Sequence, residues 1–174
     1  MLEVPNMVMI GGNSRNAGKT TIACSIIRKL SLSHEETGLK VTSIRPGESD
    51  KHGHHPETNY SGYSITEELN RESHKDTSAL IQAGASRVFY IRTEDSFAAR
   101  AIQSFLATYD FGQPLVCESR SLRQVLVPGL FLMMIRETLP ASAKDISEYI
   151  RVADKVFALD NDQLDLNNFV DTLY

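Results

Sequence analysis

The sequence predicts a three-layer α/β domain in which helices cover both faces of a mainly parallel sheet. Short apolar runs alternate along the chain with segments of helical periodicity. The apolar runs are continuous rather than alternating, which is typical of strands buried on both faces of a parallel sheet. The length of 174 residues suits one domain, residues 1–174, and we find no internal repeat or linker that divides it.

The first part of the chain predicts two strands, one helix and a long loop. Residues 7–10 form a short apolar run that ends in glycines, which indicates a strand followed by a loop. From Lys19 onward apolar residues recur at spacings of three and four, so a helix follows. Residues 41–44 predict the second strand, and the polar, aperiodic residues 48–62 predict a loop.

The rest of the chain alternates in the same way. Its apolar runs predict strands at residues 88–91, 115–117, 130–135 and 156–159. Its periodic segments predict helices at residues 76–84, 97–109 and 141–152, with a further short helix after Asp160. Ligands of such a sheet bind at the carboxyl ends of its strands, so we expect the functional site at that edge.

The composition argues against several classes of protein. The net charge of -4, without a basic stripe, argues against a nucleic-acid-binding protein. No apolar run approaches the roughly 20 residues of a membrane span. The first residues show no signal-peptide pattern, so we expect a cytoplasmic protein. Cys24 and Cys117 both lie in apolar segments and are expected to be buried, reduced thiols.

The segment GGNSRNAGKTT, residues 11–21, predicts a phosphate-binding P-loop of variant Walker A type. It follows a predicted strand, and its Gly18-Lys19-Thr20 lies at the start of a predicted helix. This is the structural context in which the motif binds phosphate. Asn13 replaces the first glycine of the motif, and asparagine tolerates a left-handed backbone better than most residues. The alternative is an ordinary strand-to-helix turn with a solvated Lys19.

In such a loop the backbone N–H groups bind phosphate, the lysine reaches the outer phosphates and the threonine hydroxyl binds magnesium. The residues expected to bind nucleotide are Asn13, Ser14, Arg15, Asn16, Ala17, Gly18, Lys19, Thr20 and Thr21.

An acidic residue at the end of another strand completes the expected site. Glu118 directly follows the apolar residues 115–117, so it lies at the same edge of the predicted sheet as the loop. We expect Thr20 and Glu118 to bind magnesium, with Asp76 as a further ligand, and Lys19 and Glu118 to act in catalysis. The alternative is that Glu118 is a carboxylate that faces water.

Four segments of the chain match the pattern of one known family. They are GGNSRNAGKTT, the His-rich loop after the second strand, HKDTSALIQAGASRVFYI and PLVCES. Over residues 7–119 they resemble the MobB family, P-loop proteins associated with molybdopterin-guanine dinucleotide synthesis. Thr77 stands where that family has serine after Lys-Asp, and Ser119 follows Glu118 where the family has glycine.

The resemblance implies a P-loop NTPase fold and a protein that binds GTP or ATP with magnesium. It implies slow hydrolysis and a partner enzyme of molybdenum cofactor biosynthesis. The chain also resembles dethiobiotin synthetase, whose loop has the same spacing and whose second strand ends in Lys-Pro, where Arg45-Pro46 stands here. That resemblance implies an ATP-dependent ligase or kinase that acts on a small carboxylate, with Arg45 on the substrate side. A third hypothesis is a degenerate P-loop protein that serves as an interaction module.

Two further expectations concern the His-rich loop and the oligomeric state. His52, His54 and His55 have a spacing that can bind zinc or nickel, and the alternatives are a mobile loop over the nucleotide or an inert surface loop. Relatives in this class commonly pair across the nucleotide face, so we expect a homodimer. Residues 125–132 are apolar and uncharged, and part of this stretch is the expected interface.

Overall fold

The computed structural model describes residues 1–44, 62–108, 112–136, 145–158 and 163–173. The strands are β1 (Leu2–Gly12), β2 (Thr37–Ile44), β3 (Tyr63–Glu67), β4 (Arg87–Glu94), β5 (Leu115–Glu118), β6 (Leu126–Ile135) and β7 (Lys155–Ala158). The helices are α1 (Lys19–Leu30), α2 (Asp76–Gln82), α3 (Ala98–Thr108), α4 (Ser147–Arg151) and α5 (Gln163–Thr172), with short 3-10 turns at Asp95–Phe97 and Ser121–Gln124.

The strands form one seven-stranded sheet in the order β3-β4-β2-β5-β1-β6-β7. Every neighbouring pair is parallel except β3 and β4, which run antiparallel. The inner strand β1 is buried on both faces, because Val8 and Ile10 point to one side of the sheet and Met7 and Met9 to the other. The predicted mainly parallel sheet is therefore confirmed.

Helices cover both faces of the sheet, which confirms the three-layer α/β architecture. Residues of α1, α2 and α5 pack with Val8 and Ile10 in one hydrophobic cluster. Residues of α3 and α4 pack with Met7 and Met9 in the other. Both cysteines are buried and free, as expected. Among the described residues no helix is long and apolar enough to span a membrane.

One strand of the sheet was not predicted. β3 pairs antiparallel with β4 at the edge of the sheet, with Ile65 opposite Ile91. Its residues are half-buried or exposed, so it lacks the continuous apolar run that marks the buried strands. β1 and β2 also begin earlier than predicted, at Leu2 and Thr37, because polar residues interrupt the apolar pattern in their first halves.

The apolar residues 125–132 belong to the sheet rather than to an exposed surface. β6 runs through Pro128 and Gly129, and its neighbours are β1 and β7. A Cβ atom on Gly129 would lie 1.9 Å from the carbonyl oxygen of Pro5, so only glycine allows β1 to approach this closely. Most of this stretch is buried in the sheet, but Val127 and Leu130 are only half-buried, so a dimer interface at part of it stays a prediction, as does the homodimer itself.

The end of the chain agrees with the prediction in part. Residues 141–144 of the helix predicted at residues 141–152 lie outside the described residues, and in the described part the helix begins only at Ser147, since residues 145 and 146 are not helical. The short helix predicted after Asp160 is confirmed as α5.

Candidate functional site

The loop between β1 and α1, residues 13–18, lies at the carboxyl edge of the sheet, as predicted. Two of its residues have left-handed backbone, Asn16 with φ 59° and Gly18 with φ 82°. Sequence analysis assigned the tolerance for this conformation to Asn13, and the structure places it at Asn16. Gly18 caps the amino terminus of α1, and its left-handed backbone turns the chain from the loop into the helix.

Asn13 has a structural role that explains why glycine is absent there. Its side chain is buried, its Nδ2 atom donates to the carbonyl oxygen of Arg136 at 2.9 Å, and its Oδ1 atom accepts from the Arg136 N–H at 3.1 Å. Its own N–H donates to the carbonyl oxygen of Met134 at 3.2 Å. Asn13 therefore continues the hydrogen bonding of β1 with β6 beyond the end of β1. Both polar atoms of its side chain bind the backbone of Arg136, the residue that follows β6.

Lys19 lies over the end of β1 and bends back toward the loop. Its Nζ atom donates to the carbonyl oxygen of Ser14 at 2.7 Å. A Cβ atom on Gly12 would lie 2.9 Å from Cδ of Lys19, so the glycine makes room for this side chain. Burial lowers the pKa of the Lys19 ammonium, and the carboxylate of Glu118 opposes that effect.

The first turn of α1 presents backbone donors that have no acceptor. Ile22 is the first residue of the helix whose N–H donates to a carbonyl oxygen, that of Gly18. Among the described residues the N–H groups of Gly18, Lys19, Thr20 and Thr21 have no acceptor, and no side chain caps the helix. Such N–H groups, together with the helix dipole, favour an anion at this position.

Thr20 and Glu118 are brought together, as sequence analysis predicted. The Thr20 hydroxyl donates to Oε2 of Glu118 at 2.8 Å. Glu118 ends β5, in register with Ile10 of β1, and it is only 5% exposed. The alternative in which Glu118 is a carboxylate facing water is therefore wrong.

Asp76 also lies at the site, but sequence analysis missed the residue that connects it to Glu118. Lys40 of β2 is in register with Glu118, and its Nζ atom lies 3.4 Å from Oε1 of Glu118. The same ammonium donates to Oδ2 of Asp76, the first residue of α2. Burial lowers the pKa of Lys40, but the charges of Glu118 and Asp76 outweigh that effect, so the pKa lies above its usual value.

One feature of the sequence identifies Lys40 as a candidate site residue. Lys40 lies between Leu39 and Val41, and a charged residue inside a buried parallel strand requires a partner of opposite charge. The predicted second strand began at residue 41, which left Lys40 outside it.

The oxygen atoms at the site suit a hard divalent cation. Thr20, Glu118 and Asp76 offer a hydroxyl and two carboxylates, the oxygen ligands that magnesium prefers. In the described part of the chain no group of three or more His, Cys, Asp or Glu residues is arranged to hold a metal. A magnesium ion here would complete its coordination with water molecules or with oxygen atoms of a bound ligand. Arg45, His52, His54 and His55 lie outside the described residues.

Arg120 and a small cavity border the site. The Arg120 guanidinium donates to the carbonyl oxygen of Gly12 at 3.2 Å and lies 5.2 Å from the centre of the Tyr149 ring. It thereby connects the end of β1 to α4. On the other side a cavity of about 240 Å³ lies between α1 and α2, and its lining residues are Thr20, Thr21, Cys24, Arg28 and Ala79.

No family model, curated protein or solved structure matches this chain.

The role of Asn13 gives a test by substitution. We expect Asn13→Gly, which restores the usual residue of a Walker A loop, to lower the free energy of unfolding by about 1–2 kcal/mol. The reason is that the N–H and carbonyl groups of Arg136 lose their partners while the unfolded chain gains entropy. Urea denaturation measures the change.

Asn6→Gly is the matched control, because Asn6 is an exposed asparagine of β1, the strand that leads into the loop, and its Nδ2 atom also donates to a backbone carbonyl oxygen, that of Gln113 at 2.8 Å. We expect it to cost less than Asn13→Gly. An Asn13→Gly protein as stable as the wild type would contradict the role assigned to this side chain.

Proposed function

We propose that this chain is a P-loop nucleotide-binding protein that binds GTP or ATP with magnesium. In this proposal it is MobB-like, hydrolyses the nucleotide slowly and assists an enzyme of molybdenum cofactor biosynthesis. One observation supports it above all. The free N–H groups of the first turn of α1, the Lys19 ammonium and the hydrogen-bonded Thr20–Glu118 pair meet at one edge of the sheet.

The phosphates would lie against the free N–H groups of α1. Lys19 has three N–H donors, and one of them is satisfied by the carbonyl oxygen of Ser14. The remaining donors can contact the outer phosphates while the lysine stays anchored to the loop. A hydrogen bond between two charged groups is roughly twice as strong as one between neutral groups, so this contact would contribute much of the affinity.

Magnesium bound with the nucleotide would neutralise charge that develops on the transferred phosphoryl group. Thr20 would hold the metal through its hydroxyl, and Glu118 would hold it directly or through water. Because Glu118 is buried and lies at the end of a central strand, its position is fixed before the ligand arrives. A carboxylate held in this way can also orient a water molecule for attack on the phosphate.

A second candidate function is favoured by the cavity between α1 and α2. An ATP-dependent ligase or kinase of the dethiobiotin synthetase type needs room for a small carboxylate beside the phosphates. The cavity opens at Thr20, and Arg28 on its wall is suited to a carboxylate. Hydrolysis without a second substrate supports the first function, and turnover only with a small acid supports the second. If the protein binds no nucleotide at all, the third hypothesis is favoured, a degenerate P-loop protein that serves as an interaction module.

The role of Lys19 in binding can be tested directly. We expect Lys19→Ala to weaken nucleotide binding by about 2–3 kcal/mol, the range for a lost hydrogen bond between charged groups. The variant should remain folded, because Lys19 is only half-buried and alanine is a good helix former. Calorimetric titration with GTP and with ATP, beside thermal melting, measures both properties.

Lys29→Ala is the control for that variant. Lys29 lies in the last turn of the same helix and pairs with Asp171 of α5. Its loss should leave nucleotide affinity unchanged. If the Lys19→Ala variant binds nucleotide as tightly as the wild type, the loop is not a phosphate site.

Glu118→Gln separates binding from chemistry. The amide keeps the shape of the side chain and removes its charge, so nucleotide should still bind through Lys19 and the loop. We expect phosphate release to fall by about 100-fold or more, the scale for a positioned catalytic group, and the magnesium requirement to change with it. The assay follows phosphate release from GTP and ATP across a magnesium series.

Glu148→Gln, a change at an exposed carboxylate of α4, should behave as the wild type in that series. Equal rates and equal magnesium requirements in the Glu118→Gln variant and the wild type would refute the metal and catalytic roles of Glu118.

A further inference from the structure

The Lys40 ammonium lies between the two carboxylates that the proposed metal site requires. It contacts Oδ2 of Asp76, and it lies 3.4 Å from Oε1 of Glu118. The other oxygen of Glu118 accepts the Thr20 hydroxyl hydrogen bond. The Lys40 side chain is 19% exposed and that of Glu118 is 6% exposed, so the pair is largely removed from water.

An ammonium and a divalent cation cannot contact the same carboxylate oxygens without strong repulsion. In a partly buried site this repulsion is poorly screened by water and salt. Conversely, removal of the ammonium without a replacement would leave two carboxylates close together, which is costly. The space between the half-exposed Asp76 and the buried Glu118 therefore favours occupation by one cation or the other.

The charges around Lys19 also disfavour a bare divalent cation at this site. Among the charged groups that shift the pKa of Lys19, Glu118 and Asp76 are negative, and Lys40 and Arg120 are positive. With Lys19 itself this cluster has three positive and two negative groups. A site with one net positive charge attracts a triphosphate and disfavours a bare divalent cation. Without Lys40 the cluster would be neutral.

We propose that Lys40 is the resident cation of this site and excludes magnesium from it until a nucleotide is bound. Lys40 holds Asp76 and Glu118 in place in the nucleotide-free protein. When the nucleotide binds, its phosphates give the ammonium a new partner, and the long side chain of lysine allows the movement. The metal is then admitted together with the nucleotide. This inference rests on the proposed function, because it takes Thr20, Glu118 and Asp76 as metal ligands.

The test is manganese binding in the absence of nucleotide. Mn²⁺ serves as the probe for Mg²⁺, and the electron paramagnetic resonance signal of the free ion measures how much is bound. We expect weak binding to the wild type and at least about tenfold tighter binding to Lys40→Gln, because the competing charge is gone. Lys40→Arg keeps the charge and should bind Mn²⁺ as weakly as the wild type.

Further variants test whether the gain in Mn²⁺ affinity arises at this site. Lys29→Gln removes a lysine of α1 that pairs with Asp171 instead, so it should not change Mn²⁺ affinity. In Glu118→Gln the additional change Lys40→Gln should give a clearly smaller gain, because it then frees only Asp76. If Lys40→Gln is unstable by thermal melting, Lys40→Met, which has a similar length, replaces it in the series.

Equal Mn²⁺ affinity in the wild type and the neutral Lys40 variants would overturn the proposal. So would a gain in the Glu118→Gln background that is as large as the gain in the wild-type background. A parallel calorimetric titration of the wild type with GTP and ATP keeps this result separate from the proposed function. Absence of nucleotide binding in that titration refutes the P-loop assignment, whereas the Mn²⁺ series decides the role of Lys40.

Discussion

The pairing of β5 between β1 and β2 determines where the charged groups of the site lie. Parallel neighbours in fixed register place Glu118 beside Ile10 on one side and beside Lys40 on the other. Since β1 continues directly into the loop and α1, the same register brings Thr20 within 2.8 Å of Glu118. A shift of one residue in β5 would turn Glu118 to the opposite face of the sheet and separate all three groups.

A carboxylate at the end of a central strand also imposes an energetic requirement. Glu118 is almost fully buried, and a buried charge is tolerated only when it is paired and hydrogen-bonded. The Thr20 hydroxyl and the Lys40 ammonium meet this requirement from two different elements. The chain therefore stabilises the fold with the groups that we propose for ligand binding, and any ligand has to replace these contacts rather than add to them.

The sequence predicted the parts of this site that depend on local patterns. The loop before α1 and the position of Glu118 follow from a strand, a glycine-rich turn and an acidic residue that ends an apolar run. The partners of Lys40 and the role of Asn13 depend on which strands are neighbours, and that information is not local. β3 was missed for a related reason, because an antiparallel edge strand with half-exposed residues has no continuous apolar run.

A crystal structure with magnesium and a non-hydrolysable GTP analogue tests the central claim most directly. Our account predicts the phosphates against the N–H groups of Gly18 to Thr21, with the Lys19 ammonium on the outer phosphates and the metal on the Thr20 hydroxyl. It also predicts that the Lys40 ammonium has left Asp76 and Glu118. A nucleotide bound elsewhere, or a metal at Thr20 with Lys40 still between the two carboxylates, would contradict the account.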